Sequence, residues 1–240
     1  RYWLMKMTFQ NITLLYNELI AKNNSSICVF DLDSTIFNVS PRSQKILHEF
    51  ALTNHLPELL NITVKTEDWG VYEALLRAGY TQIQNQDLHQ ALKKYWNEKF
   101  FSNEYLHYDT PYVGAIHFVQ SLVSCGVTIH YLTGRDVTRM GNGTTEVLKK
   151  WGLPHSPEQT HLKPRKDLDD HLFKLEWMQK LAEKNPASII YLFENEPVNI
   201  NLVGDKIPKV RIIYMNTTHS RRETVRALHT EIFNYTIERS

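Results

Sequence analysis

The stretch Ile27-Cys28-Val29-Phe30-Asp31-Leu32-Asp33-Ser34-Thr35 decides how this chain is read. A short apolar run, the length of a buried strand, breaks off into two carboxylates separated by one residue and then two hydroxyls. In an extended segment side chains alternate, so Asp31 and Asp33 share a face. A buried strand that delivers paired carboxylates at its carboxyl end suits a metal and a nucleophile in a crevice. The pattern alone is common, and Asp167-Leu168-Asp169 repeats it. That second copy follows Lys163-Pro164-Arg165-Lys166 and precedes a helical pattern, so it reads as loop and helix N-cap. The strand in front is what sets the first copy apart.

Outward from that strand, the chain of 240 residues is 42% hydrophobic and 22% charged, enough to bury a core. A formal net charge of +1 gives no electrostatic case for long nucleic acid or an anionic membrane. No apolar run reaches the roughly 18 residues of a membrane span. Cys28 and Cys125, the only cysteines, each sit in or beside an apolar run and read as core residues, not a disulfide framework. Eight Asn-x-Ser/Thr triplets are read as a by-product of Asn and Thr content, and the lean is to a reducing, cytoplasmic compartment.

Apolar residues from Leu4 and Met7 to Leu19 and Ile20 recur at a helical period over residues 2–22. From Val39 to Tyr108 no strand is evident. Helices are expected at Ser43–Leu52, Trp69–Ala78 and Asp87–Phe100, with their aromatics read as core. Beyond them helix and strand alternate. Strands are expected at 127–132, 160–163, 188–193 and 210–215, and helices at 111–124, 144–151 and 170–184, with a short one after Pro197 and a last one from about Arg221. Alternation of this kind implies a mostly parallel sheet covered on both faces. Gly204-Asp205 reads as a turn. Gly141-Asn142-Gly143 is not part of a GxxxxGK[ST] phosphate loop.

In such a sheet, ligands sit beyond the carboxyl ends of the strands. Residues able to do chemistry cluster there: Asp31 and Asp33, then Thr133-Gly134-Arg135, then Glu194-Asn195. Lys174 lies early in the helix that feeds the Glu194 strand. In this order the motifs resemble the haloacid dehalogenase (HAD) superfamily, phosphatase type, over residues 26–36 and roughly 109–216. The 39–108 segment stands where that superfamily carries a helical C1 cap. The resemblance implies an α/β, Rossmann-like three-layer sandwich with strand order 5-4-1-2-3, residues 1–38 and 109–240 forming the core and 39–108 the cap.

It also implies Asp31 as a nucleophile forming an aspartyl-phosphate, Asp33 as general acid/base, Thr133 as a phosphoryl contact and a charge-neutralising lysine. Spacing favours Lys174, twenty residues before Glu194, over Lys163. Ser34, Thr35, Gly134 and Arg135 are the expected substrate contacts. Mg²⁺ is implied as cofactor, held by Asp31, the Asp33 carbonyl and the Glu194-Asn195 pair. Many members have two acids at that last motif; Asn195 brings an oxygen but no charge. The roles are chemically coherent, because phosphoryl transfer is mostly positioning and charge stabilisation. With Asp31 on the metal, Asp33 is expected to keep a raised pKa.

The expected function is therefore Mg²⁺-dependent hydrolysis of a small-molecule phosphate ester. A nucleotide or polynucleotide end phosphatase is one alternative, and a non-catalytic binding protein on a degenerate HAD scaffold is another. Substrate identity and oligomeric state are not legible.

Overall fold

The computed structural model describes residues 12–237. In chain order these form α1 (Ile12–Ala21), β1 (Ser26–Phe30), β2 (Phe37–Asn38), α2 (Ser40–Thr53), α3 (Val71–Arg77) and α4 (Gln86–Phe100). Next come β3 (Thr110–Pro111), α5 (Ala115–Ser124), β4 (Thr128–Asp136), α6 (Val137–Lys150), β5 (Thr160–Lys163) and α7 (Asp170–Lys184). The chain closes with β6 (Ile189–Glu194), α8 (Pro197–Lys206), β7 (Arg211–Met215) and β8 (His229–Ile232). Of the helix expected over 2–22, residues 2–11 lie outside the described residues.

Six strands make one parallel sheet in the order β5-β4-β1-β6-β7-β8. This is the expected five-strand order with one strand added at the edge. β1 is buried along its whole length, and its side chains alternate between two cores. Cys28 and Phe30 pack with α1 and α5 residues such as Leu19 and Phe118, while Ile27 and Val29 pack with Met178 of α7 and Val203 of α8. The same alternation turns Asp31 toward α7. Strand order reverses at β1, where β4 lies on one side and β6 on the other, and that is where a crevice opens in a parallel sheet.

Several expectations need correction. No helix starts near Arg221; the chain runs irregularly to β8, which pairs with β7 from Ile212 to Met215. The polar Ser-Arg-Arg-Glu-Thr run looked helical by propensity, but Ile232 and Tyr235 are drawn into the core instead. Gly204 lies within α8, not in a turn. α6 begins seven residues earlier than expected, capped by Asp136, whose carboxylate accepts the Arg139 N–H. Gly143 sits inside that helix because a 3₁₀ segment crosses it there. A Cβ on Gly143 would stand 2.6 Å from the Asn103 carbonyl oxygen.

Between β2 and β3 the chain is helical, as expected. Its two ends pair antiparallel at Phe37–Pro111 and Asn38–Thr110, so the segment leaves and rejoins the core at one place. It has its own apolar cluster, built on Leu47, Phe50, Leu59, Ala74 and Leu92.

Candidate active site

At the carboxyl end of β1, Asp31 is 4% exposed. Its Oδ1 accepts from Lys174 Nζ at 2.7 Å, and the same ammonium donates to Glu194 Oε2 at 2.7 Å. One buried cation thus bridges two buried carboxylates contributed by β1 and β6. Asp169 N-caps α7 through the His171 and Leu172 N–H groups, and this fixes the helix start from which Lys174 reaches inward. Lys163 is different. It lines the crevice but bonds to Asp170 and to the Leu168 carbonyl. Burial pushes the Asp31 carboxyl up to about 7, with the Glu194 charge adding to it and Lys174 opposing it. Burial works against the Lys174 ammonium, but Asp31 and Glu194 outweigh it and raise its pKa.

Asp33 has opposite surroundings. Arg135 grips it bidentately, Nε to Oδ2 at 3.0 Å and Nη2 to Oδ1 at 2.7 Å, and Arg42 Nη2 adds 2.5 Å to Oδ1. Both arginines also bond to Asp109, which is fully buried. Burial would push the Asp33 carboxyl up, but Arg135 and Arg42 outweigh it and hold it well below the usual carboxylate range. A raised pKa at Asp33, expected from repulsion by Asp31, is therefore not found: two guanidiniums face it, and they outweigh the neighbouring carboxylate. No sequence motif singles out Arg42 or Asp109. They meet from 67 residues apart, and no local pattern announces the pair. The one hint is an arginine inside an apolar helical stripe with no acid three or four residues away.

Ser34 follows with φ of 62°, its N–H donating to the Phe37 carbonyl at 2.7 Å. A non-glycine residue in the left-handed region beside two site carboxylates is backbone strain of the sort found at functional loops. Ser34 lines the crevice; Thr35 does not. Expected as a substrate contact, Thr35 is fully buried, and its hydroxyl lies 3.3 Å from Asp31 Oδ2 and 3.1 Å from Asn195 Oδ1. Thr133 and Gly134 sit on β4 where the register with β5 shifts, which aims them at the crevice. The Asp170 carboxylate packs against Gly134, its Oδ2 standing 2.6 Å from where a Cβ would be, so a larger residue there would displace that side chain. Arg135 lines the crevice too, but four of its five N–H donors are already used by Asp33, Asp109 and Thr144.

The Glu194-Asn195 pair divides its work. Glu194 has both oxygens filled, Oε1 by the Asn195 and Glu196 N–H groups and Oε2 by Lys174 and Asn199 Nδ2. With four donors on it, Glu194 holds Lys174 and the strand-end loop and leaves no free lone pair for an ion. Asn195 is oriented unambiguously, since its Nδ2 donates to the Thr218 carbonyl at 2.6 Å. Its Oδ1 and Asp31 Oδ2 therefore share a single Thr35 hydroxyl, which has one proton to give. Two oxygens competing for one donor form an oxygen-rich, donor-poor spot, and that chemistry fits a hard cation such as Mg²⁺. Among the described residues no cluster of three His, Cys, Asp or Glu side chains could hold a metal, so a main-chain carbonyl, water or substrate oxygens would complete the shell.

The crevice is about 500 Å³ and is walled on its far side by Trp69, Trp96, Phe100 and Phe101 from the helical segment. Lys166 and Arg222 are at its rim.

No family model matches the chain, and no curated relative does. Solved structures do. A candidate haloacid dehalogenase-like hydrolase from Burkholderia xenovorans is 16% identical, with 88% of this chain and 94% of that one covered at a TM-score of 0.51. The fold is the haloacid dehalogenase-like one. A candidate phosphatase from Clostridium difficile (12% identity, 80% and 85% covered, TM-score 0.48) is also similar. So is a haloacid dehalogenase-like family protein from Streptococcus pneumoniae (10%, 78% and 83%, 0.45).

Proposed function

We propose that the protein is a Mg²⁺-dependent phosphomonoester hydrolase of HAD type. The observation that carries this reading is the buried Asp31 at a strand end, with Lys174 on one oxygen and, on the other, a Thr35 hydroxyl shared with Asn195. Asp31 is the nucleophile: one of its carboxylate oxygens attacks phosphorus, the ester P–O bond breaks, and an aspartyl-phosphate forms. Thr133 and the neighbouring main chain orient the phosphoryl oxygens. Lys174 neutralises charge between Asp31 and Glu194. Asp31, Asn195 and the Asp33 carbonyl would hold Mg²⁺, which when bound supplies positive charge to the phosphoryl oxygens.

Asp33 transfers the proton. Clamped by two arginines it is ionised, which suits the second step, where it takes a proton from the water that opens the aspartyl-phosphate. To protonate the leaving oxygen in the first step it must first gain a proton. A dianionic phosphate entering beside Asp33 counters the guanidinium field and favours that protonation. The 39–108 segment acts as a cap whose aromatic wall faces the leaving group.

Turnover of an aryl phosphate and a panel of phosphorylated metabolites, with Mg²⁺ and with EDTA, tests the proposal. The expected outcome is Mg²⁺-dependent release of phosphate that EDTA abolishes. Inertness across the whole panel would leave a binding protein on this scaffold as the reading.

A further inference from the structure

Behind the aromatic wall lies a second cavity of about 650 Å³, within the size range of small-molecule sites. Trp69, Trp96 and Asn97 belong to the walls of both spaces, so the cavity continues the crevice on the side opposite Asp31. Trp69 is 48% exposed and Tyr72 43%, so a large ring area faces water beside the cavity. Trp96 is fixed: its Nε1–H donates to Ser43 Oγ at 3.1 Å and its ring stacks on Phe100 at 4.2 Å.

Apart from Glu73 and Lys93, the rest of the lining is neutral and rich in hydrogen-bonding edges. Gln82, Gln86, Gln90 and Asn97 present amides, each with donors and an acceptor. The one acid, Glu73, is already engaged by the Trp69 N–H and by Arg221. His89 is part of the lining but offers it no open edge. It is buried, and its Nε2 bonds to the Tyr80 carbonyl at 2.7 Å. A carbonyl can only accept, so Nε2 carries the hydrogen, and Nδ1 is enclosed with no partner.

Flat ring faces beside amide edges match a ligand that is itself a flat ring with donors and acceptors on its rim. A plain aryl group has the face without the edges. A nucleobase has both, and bases stack on aromatic side chains whatever their identity. We propose that the leaving group is a nucleoside, so that the substrate is a nucleoside monophosphate with its base between Trp69 and the amide wall. This rests on the phosphomonoesterase reading. Water and the nucleotide give nucleoside and inorganic phosphate; the ester P–O bond breaks, and the nucleoside oxygen keeps the proton it receives.

The experiment compares kcat/KM for the four common nucleoside 5′-monophosphates with glycerol 2-phosphate, glucose 6-phosphate and a 5′-phosphorylated dinucleotide, in wild type, Trp69→Ala and Gln90→Ala. At least one mononucleotide is expected to exceed glycerol 2-phosphate by about tenfold or more. That ratio should fall about tenfold in Trp69→Ala, chiefly through KM, and by less in Gln90→Ala. Unphosphorylated nucleoside should also inhibit aryl phosphate turnover competitively and quench tryptophan fluorescence in wild type but less in Trp69→Ala. Equal or better turnover of the sugar phosphate, preference for the dinucleotide end, or an unchanged ratio in Trp69→Ala would each overturn the assignment. Those results leave phosphatase activity standing, whereas inertness toward every ester overturns the function itself.

Discussion

Asp31 and Asp33 leave the same strand one residue apart, yet Asp31 turns to Lys174 and Glu194 while Asp33 turns to Arg42 and Arg135. On the Asp31 side one ammonium is shared by two carboxylates, which leaves an excess of negative charge suited to a cation. On the Asp33 side two guanidiniums are shared by Asp33 and Asp109, so charge balances without any ion. The difference teaches that a carboxylate pair is not a functional unit by spacing alone. Each member takes its protonation state from what folds against it.

The largest expected effect separates the two directly. Asp31→Asn should lower turnover of every ester by at least about a thousandfold, because it removes the attacking oxygen. Asp33→Asn should spare an aryl phosphate, whose leaving group needs little protonation, far more than an alkyl phosphate. Equal losses on the two esters would break the assignment of proton transfer to Asp33.

Arg42→Met strips one cation from the Asp33 side and leaves Asp109 buried with a single partner. Breaking a buried pair in this way costs about 3–5 kcal/mol, to be read as a lower denaturation midpoint. A loss under about 1 kcal/mol would mean the clamp is only surface-strength.

On the Asp31 side, Thr35→Val removes the one proton shared by Asp31 and Asn195. Two buried acceptors then face each other unpaired, at a cost of about 1–3 kcal/mol in EDTA. Added Mg²⁺ should recover much of that loss, more than it stabilises wild type. An equal metal increment in both proteins would argue against an ion at that spot.

The smallest effect lies away from both carboxylates. His130 and His161 are 3.1 Å apart on neighbouring strands with Trp177 against them. Burial lowers both pKa values, that of His161 to about 4, with the His130 charge contributing. Between about 4 and the ordinary histidine value the unfolded chain binds protons that the folded one does not, so stability should fall as pH drops through that window. His161→Gln should flatten the thermal midpoint against pH there, and an unchanged profile would remove His161 from the account.

Much of the fold was legible because its signals are local. The β1 run, the Asp169 cap, the span of α7 and the alternation of helix with strand depend on neighbours within a few residues. Lys174 was legible for the same reason, being a fixed distance along one helix from a fixed strand. What was not legible is non-local. The clamp on Asp33 joins residues from α2, from just before β3 and from β4. The saturation of Glu194 depends on two main-chain N–H groups and on Asn199 one turn into α8. β8 was hidden because only one of its four residues, Ile232, is apolar, and it pairs with β7 from across an irregular loop.

The sequence by itself determined the parallel α/β core, the strand end where the carboxylates emerge and the lysine that meets them. These follow from side-chain periodicity and capping, which act over one or two helical turns. Only the tertiary structure decided that Asp33 is ionised, that Glu194 serves Lys174 while Asn195 shares a hydroxyl with Asp31, and that Trp69 faces cavities outside the apolar clusters while Trp96 faces both. Charge state and exposure depend on distances of a few ångströms between segments far apart in the chain, and no local pattern encodes those distances.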